Sequence, residues 1–235
     1  MLRKIGILIC GHVREEIIGK YGEYGDFFKR FLADDAFTFV DYFVVDGVFP
    51  EKIDECDAYV VTGSAHGAYE DHAYISPLED FIRAAYAKEI PQVGVCFGHQ
   101  ILAQALGGRV EKYDGGWGLG VQNYSVSLDE LGDNAKTIKL IAVHQDQVVE
   151  KPKAAEVIAS SEFCANAGFV YGKKVISFQP HPEFDADFMR DLIEARKGKS
   201  FPENIANDAL QSLDQPVENN KISKLIKDFI KQAEL

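Results

Sequence analysis

The chain has 235 residues, a formal net charge of -12 at pH 7 and 46% hydrophobic residues. This length and apolar content suffice for one sizeable domain with a buried core, and they exclude a disordered or fibrous chain. The acidic balance argues against binding to nucleic acid or to an anionic membrane, because contacts with phosphate require an excess of Lys and Arg. A small molecule or another protein is therefore the expected partner.

The first residues predict a buried strand and not a targeting segment. The apolar run from Ile5 to Cys10 is too short for the core of a signal peptide and far too short for a membrane span. The cysteines lie far apart and form no C-x-x-C pair, so neither a disulfide framework nor a metal site is predicted. We expect a cytoplasmic protein that uses no cofactor.

Short apolar runs rich in β-branched residues recur along the chain and predict strands that are covered on both faces. In chain order these runs are KIGILIC, FTFVDYFVV, AYVVTG, QVGVC, TIKLIAV, EVIAS and KKVISFQPH. The stretch from Arg109 to Val143 is strand-rich with Gly-containing turns, and it predicts a small antiparallel excursion. Within it, the GGWGLG turn is expected to place Trp117 on or near a pocket.

Amphipathic segments between these runs predict helices, and the alternation of strand and helix is typical of an α/β fold. Residues 24–32 have helical apolar spacing, and SPLEDFIRAAYAKE predicts a capping box that begins at Ser76, with Pro77 as the first helical residue. A later helix is expected to begin at the cap Asp185. A polar segment, 197–220, precedes a final apolar helical stripe that should fold back onto the core. We expect one domain over 1–235, with a core of about 1–194 and a helical extension over 195–235.

Cys96 is a candidate nucleophile, because it follows an apolar strand and lies between Gly94 and Gly98 in the pattern G-x-C-x-G. Glycines on both sides permit a sharp strand-to-helix turn that lifts the central side chain into solvent. A thiol at a helix N-terminus also lies where the backbone dipoles favour the thiolate. The alternative is that Cys96 is a small buried apolar residue.

A candidate base and its orienting group follow a later strand. His181 stands in QPHPEF directly after the apolar run VISF, and Glu183 is two residues further on, on the same side of an extended backbone. Pro180 and Pro182 stiffen this segment. The alternative is an exposed polar loop. The order Cys, His, Glu argues against an α/β-hydrolase, which places its acid before its histidine.

These residues resemble the class I (triad) glutamine amidotransferases, most closely the glutaminase domain of GMP synthase and its free-standing relatives. The matching motifs are TGSAHGAYED, GVCFGHQILAQALGG, VHQDQV and FQPHPEF, in family order over roughly residues 1–190. The resemblance implies a flavodoxin-like, mostly parallel sheet with helices on both faces and the site at the carboxyl ends of the strands.

The resemblance also implies roles for individual residues. Cys96 would attack the γ-carboxamide carbon of glutamine, His181 would carry the proton to the departing ammonia, and Glu183 would orient the imidazole. The backbone N–H groups of Gly63 and Phe97 would form the oxyanion hole. Water would then hydrolyse the γ-glutamyl thioester.

For the amino-acid end of the substrate, the resemblance implies a pocket formed by Gln100 and by the loop of His144, Gln145 and Asp146. Here the chain departs from the family pattern S-H-G-D-x-V, because Val143 and Gln145 replace the usual serine and glycine. This departure leaves the choice between glutamine and other γ-glutamyl compounds open.

Three functions follow from this interpretation. The first is a glutaminase whose ammonia passes to a separate acceptor or synthetase protein, since the sequence contains no synthetase module and no P-loop motif. The second is a stand-alone γ-glutamyl peptidase that acts on small γ-glutamyl peptides or amides. The third is a non-catalytic regulatory relative.

Overall fold

The computed structural model describes residues 2–127 and 137–232, and within these ranges the chain forms eleven strands and seven α-helices. The strands are β1 (Arg3–Leu8), β2 (Phe37–Tyr42), β3 (Ala58–Val61), β4 (Gln92–Val95), β5 (Arg109–Lys112), β6 (Gly118–Val126), β7 (Thr137–His144), β8 (Asp146–Glu150), β9 (Glu156–Ser160), β10 (Gly168–Tyr171) and β11 (Val175–Phe178). The helices are α1 (Glu15–Tyr21), α2 (Tyr24–Phe31), α3 (Ile75–Ala87), α4 (Phe97–Ala105), α5 (Ala186–Arg196), α6 (Glu203–Ser212) and α7 (Asn219–Gln232).

Nine of the described strands form one sheet in the order β2-β1-β3-β4-β11-β10-β9-β6-β7. The strands from β2 to β11 are parallel, and those from β10 to β7 continue the sheet antiparallel. The predicted flavodoxin-like α/β fold is confirmed. Strands β6 and β7 of the predicted antiparallel excursion extend the main sheet, whereas β5 pairs with β8 in a separate two-stranded antiparallel sheet. Residues 128–136 of the strand-rich stretch lie outside the described residues.

Helices cover both faces of the parallel strands, because successive side chains of a buried strand point to opposite faces. Leu8 packs with Phe81 and Ile101 of α3 and α4 on one face. Ile7 packs with Phe28 of α2 and Ile226 of α7 on the other. Helices α1, α5 and α6 form a third apolar cluster beside the sheet. None of the described helices combines the length and the apolar content needed to cross a bilayer.

The sequence predicted how two helices begin, α5 at Asp185 and α3 at Ser76, and the structure confirms only the first. The predicted cap at Asp185 is confirmed, because its side chain accepts a 2.8 Å hydrogen bond from the N–H of Phe188. The predicted capping box at Ser76 is wrong: α3 begins at Ile75, and its cap position, Tyr74, makes no side-chain cap hydrogen bond. Pro77 is tolerated in the first turn of the helix because N–H groups there have no intrahelical acceptor.

The C-terminal segment packs back onto the core. In α7, the Ser223 hydroxyl donates a 2.6 Å hydrogen bond to the Phe31 carbonyl at the end of α2. The polar segment 197–220 contains α6, which its composition did not predict. Helix α6 lies against β6 at Gly120, where a Cβ would come within 2.8 Å of the Ala209 backbone.

Candidate active site

Three neighbouring parallel strands bring the predicted residues to one edge of the sheet. Gly63 follows β3, Cys96 follows β4 and His181 follows β11, and these strands are adjacent in the order β3-β4-β11. Carboxyl ends of parallel strands meet at the same edge, so residues far apart in sequence become neighbours. A Cβ built on Gly63 would lie 3.1 Å from His181 Cε1 and 3.9 Å from Cys96 Cβ.

Cys96 occupies a strained turn between β4 and α4. Its φ of 54° and ψ of -108° are unusual for a residue with a side chain and cost about 1–3 kcal/mol. The flanking glycines permit close packing, since a Cβ on Gly94 would come within 2.6 Å of the Gly98 carbonyl oxygen, and one on Gly98 would overlap that of Val61. The sequence predicted that this turn lifts the thiol into solvent, and this prediction is wrong: Cys96 is only 7% exposed.

His181 and Glu183 form a buried pair. The imidazole Nδ1 lies 2.7 Å from Glu183 Oε1, where Nδ1–H donates to the carboxylate, and the two side chains are 4% and 1% exposed. Burial lowers the pKa of His181, but the charges of Glu183 and Cys96 outweigh burial and hold this pKa well above its ordinary value. Phe184 stacks on the imidazole with centroids 4.2 Å apart and an interplanar angle of 5°. The ring is therefore fixed by the carboxylate and by the stack.

The two predicted oxyanion-hole residues flank Cys96. Phe97 is the first residue of α4, so its N–H lacks an intrahelical acceptor. Gly63 follows β3 beside the imidazole. Neither N–H donates a hydrogen bond to any other residue among those described.

A cavity of about 200 Å³, here called the larger pocket, opens beside Cys96. All four residues predicted to bind substrate line it, namely Gln100, His144, Gln145 and Asp146. The predicted Trp117 also lines it. The antiparallel half of the sheet closes over the parallel half here, since the Val143 carbonyl lies 3.9 Å from Cys96 Sγ.

Internal hydrogen bonds hold the polar side of the larger pocket. The Gln100 amide donates to the Asp146 carbonyl at 2.8 Å and to Gln179 Oε1 at 3.0 Å, so it anchors the loop between β7 and β8. His144 also faces the Asp146 carbonyl, at 3.1 Å, and burial lowers its pKa to about 4, which keeps the ring neutral. The Gln145 amide donates to the Tyr113 carbonyl at 3.3 Å.

Sequence reasoning missed further residues of the larger pocket. Tyr69 and Glu70 line this pocket and lie near the end of the TGSAHGAYED motif. The resemblance implied a role for Gly63 in this motif but none for these two residues. The Tyr69 hydroxyl donates to Asp146 Oδ1 at 3.3 Å. Lys112 and Arg196 bring positive charge to the same cavity, and no sequence motif marks either of them.

A second cavity of about 100 Å³, here called the smaller pocket, lies on the His181 side of Cys96. It shares Ser64, Ala65, Cys96, Val143 and Arg196 with the larger pocket, so the thiol lies where the two cavities meet. Its other walls include Arg14 and Tyr24. No motif in the sequence indicates this second cavity.

The remaining cysteines are buried thiols in the core. Burial raises the pKa of Cys10 and Cys56, and raises that of Cys164 to about 12, which opposes thiolate formation. No cluster of three or more His, Cys, Asp or Glu side chains able to hold a metal ion occurs in the described part of the chain.

Comparison with known proteins agrees with the resemblance read from the motifs. The sequence model of the glutamine amidotransferase class-I family matches residues 47–195, and the chain belongs to this family. It is 28% identical to gamma-glutamyl peptidase 4 of Arabidopsis thaliana over 223 residues, 90% of this chain and 89% of that protein. It is also 28% identical to the glutamine-hydrolyzing GMP synthase subunit of Archaeoglobus fulgidus over 191 residues, 77% of this chain and 97% of that one.

A solved structure shows the same fold over nearly the whole chain. A glutamine amidotransferase from Thermotoga maritima superposes with a TM-score of 0.76 at 24% identity, covering 98% of this chain and 99% of that one. The fold shared with this structure therefore includes the C-terminal helices of the chain.

Proposed function

We propose that the protein is a cysteine-dependent γ-glutamyl hydrolase with the triad Cys96, His181 and Glu183. The observation that carries this proposal is the buried pair of His181 and Glu183, 2.7 Å apart, at the strand end next to that of Cys96. A nucleophile, a base and a group that orients the base are the three parts that acyl transfer through a thiol requires.

The reaction proceeds in two steps. Cys96 sulfur forms a bond to the γ-carbonyl carbon while its proton passes to His181, and the tetrahedral species collapses as the C–N bond breaks. His181 gives the proton to the departing amine. A water molecule, deprotonated by the same imidazole, then hydrolyses the γ-glutamyl thioester to glutamate and the free thiol.

Backbone N–H groups stabilise the oxyanion of both tetrahedral species. Gly63 and Phe97 supply them, and neither group has another acceptor among the described residues. Removing one such donor typically costs about 100-fold or more in rate.

The larger pocket holds the amino-acid end of the γ-glutamyl group. Glu70 and Asp146 line the cavity, and their negative charges suit the α-ammonium group, while Lys112 suits the α-carboxylate. Gln100 contributes by holding the Asp146 backbone in place. This division gives each charge of the substrate an opposite charge in the pocket.

Small γ-glutamyl peptides are the proposed substrates, with the reaction placed in the cytoplasm. Similarity to gamma-glutamyl peptidase 4 extends over 90% of the chain and supports this choice. The smaller pocket also offers space on the side of His181, where the amine departs. The second candidate is a glutaminase that passes ammonia to a partner, which the similarity to the glutamine-hydrolyzing GMP synthase subunit favours.

Glutamate release by the purified protein tests the proposal. Wild type is compared with Cys96→Ala, with Cys56→Ala as a buried-cysteine control, on glutamine and on γ-glutamyl dipeptides without added partner. We expect wild type and Cys56→Ala to release glutamate from the dipeptides, and Cys96→Ala to release none. Release from glutamine that rises only with a partner would favour the second candidate, and release that persists in Cys96→Ala would refute the triad. No release under any condition would favour a non-catalytic relative.

A further inference from the structure

The smaller pocket lies where the leaving group of the proposed reaction would be. Its walls include both Cys96, which bonds to the carbonyl carbon, and His181, which gives the proton to the departing amine. If the larger pocket holds the γ-glutamyl group, the amine and whatever is attached to it must extend past His181. The chemistry of the smaller pocket then decides which amines are accepted.

Arg196, the last residue of α5, brings an uncompensated positive charge to this pocket. Its guanidinium makes no ion pair or hydrogen bond with any described residue, and its Nε is buried without a partner. It packs on the Phe201 ring at 4.7 Å from the centroid and lies 5.9 Å from that of Trp117. Aromatic packing fixes the side chain but does not neutralise it.

The other charges around the smaller pocket leave Arg196 without a counter-charge. His12 bridges Glu23 at 2.8 Å and Asp46 at 3.1 Å, so these carboxylates are already occupied. Arg14 lies close enough for its charge to oppose that of Arg196, and its own ion pair with Glu16, at 3.4 Å, is exposed to solvent. The chain as a whole has a net charge of -12, but the two arginines make the charge around this small cavity locally positive. An anion is the complementary ligand.

We propose that Arg196, assisted by Arg14, binds the carboxylate of the leaving group, and so selects γ-glutamyl amides whose amine is an amino acid or a short peptide. This inference rests on the proposed hydrolase function and specifies its substrate class. Glutamine releases ammonia, which carries no carboxylate and gains nothing from this contact. A guanidinium binds a carboxylate through two parallel N–H···O bonds, which gives geometric selection as well as affinity.

A pair of substrates that differ only in this carboxylate tests the inference. The ratio of kcat/KM for γ-glutamylglycine to that for γ-glutamylglycinamide is measured in wild type, Arg196→Gln and Arg14→Gln. Arg190→Gln is the control, because Arg190 is on the same helix and its ion pair with Asp214 is exposed. We expect a ratio of roughly 10 to 100 in wild type, from a charge-assisted contact present in one substrate alone. It should fall to about 1 in Arg196→Gln and by a smaller factor in Arg14→Gln, and Arg190→Gln should keep the wild-type ratio.

The outcomes separate this inference from the function on which it rests. A wild-type ratio near 1 with Cys96-dependent release from both substrates overturns the inference alone. A wild-type ratio that persists in Arg196→Gln also overturns it, as does an equal loss on both substrates, which would place Arg196 at the γ-glutamyl end. Absence of Cys96-dependent release from either substrate overturns both proposals. The ratio is insensitive to partial unfolding, because both substrates report on the same folded fraction.

Discussion

Replacing Glu183 with glutamine removes a buried negative charge from the imidazole of His181 while keeping the shape of the side chain. Glutamine Oε1 can still accept the hydrogen bond that Nδ1–H makes at 2.7 Å. The variant therefore separates the charge of Glu183 from its orienting contact. It also avoids a cavity, because the two side chains have nearly equal volume.

The magnitude follows from the separation of the charges. For charge centres about 4 Å apart and an effective dielectric constant of about 20, the attraction is about 4 kcal/mol. Part of this energy already acts before the transition state, so we expect a loss of about 2–4 kcal/mol in catalysis. This corresponds to a fall of roughly 30- to 1000-fold in kcat/KM. The pKa of His181 should also fall, because the Glu183 charge is the largest of the effects that raise this pKa against burial.

The assay is the pH dependence of kcat/KM for the best γ-glutamyl substrate. The proton that His181 gives to the departing amine is lost as the pH rises through the pKa of His181, so Glu183→Gln should move the alkaline limb to lower pH. Asp187→Asn is the control, because it removes an exposed carboxylate four residues away. A rate within threefold of wild type, with an unmoved alkaline limb, would remove Glu183 from the mechanism.

Two further predictions concern the surroundings of the triad. Burial lowers the pKa of His99 to about 3. Between about pH 6.5 and this value the imidazole is neutral in the native state but protonated in the unfolded state, so the free energy of unfolding falls as the pH drops below about 6.5. His99→Gln should reduce the pH slope of the unfolding free energy by about 1.4 kcal/mol per pH unit, measured by urea unfolding at about pH 5.5 and about pH 4.5; an unchanged slope would refute a neutral buried imidazole. Gly63→Ala would place a Cβ 3.1 Å from His181 Cε1 and should lower kcat/KM about 10- to 100-fold with little change in Tm. Gly19→Ala, in α1 with no atom within 4 Å of the added Cβ, should leave kcat/KM as it is, and equal rates in the two variants would refute the close approach.

The triad could be predicted from the sequence because its parts follow buried parallel strands. A run that is apolar on both faces marks each strand, and the residue after it lies at the carboxyl edge. The extended backbone expected at His181 and Glu183 is wrong, because Pro182 and Glu183 lie in a turn in which the Phe184 N–H donates to the His181 carbonyl at 3.5 Å. This turn brings the imidazole and the carboxylate together. The order of strands in the sheet, which brings Cys96 beside them, was not predicted from the sequence and is seen only in the structure.

The second cavity could not be predicted, because it depends on contacts distant in sequence. Val143 reaches Cys96 only because β6 and β7 continue the sheet and close over its edge. Arg196 reaches the same place through the packing of α5, and an arginine at a helix C-terminus ordinarily only complements the helix dipole. Helix α6 was hidden by its polar composition, since it buries only Ala206 and Ala209 within its length.

The two halves of the sheet contribute different things to the candidate site. The parallel strands β3, β4 and β11 position the groups proposed to break the bond, and a rigid sheet fixes their distances. The loop between β7 and β8, together with the end of α5, forms the walls that would meet the two ends of a substrate. Loops and helix ends tolerate substitution far better than the buried strands that carry them. Changes at positions such as Gln145 or Arg196 can therefore alter which amine departs while the bond that is broken stays the same, and one fold can serve both ammonia release and peptide hydrolysis.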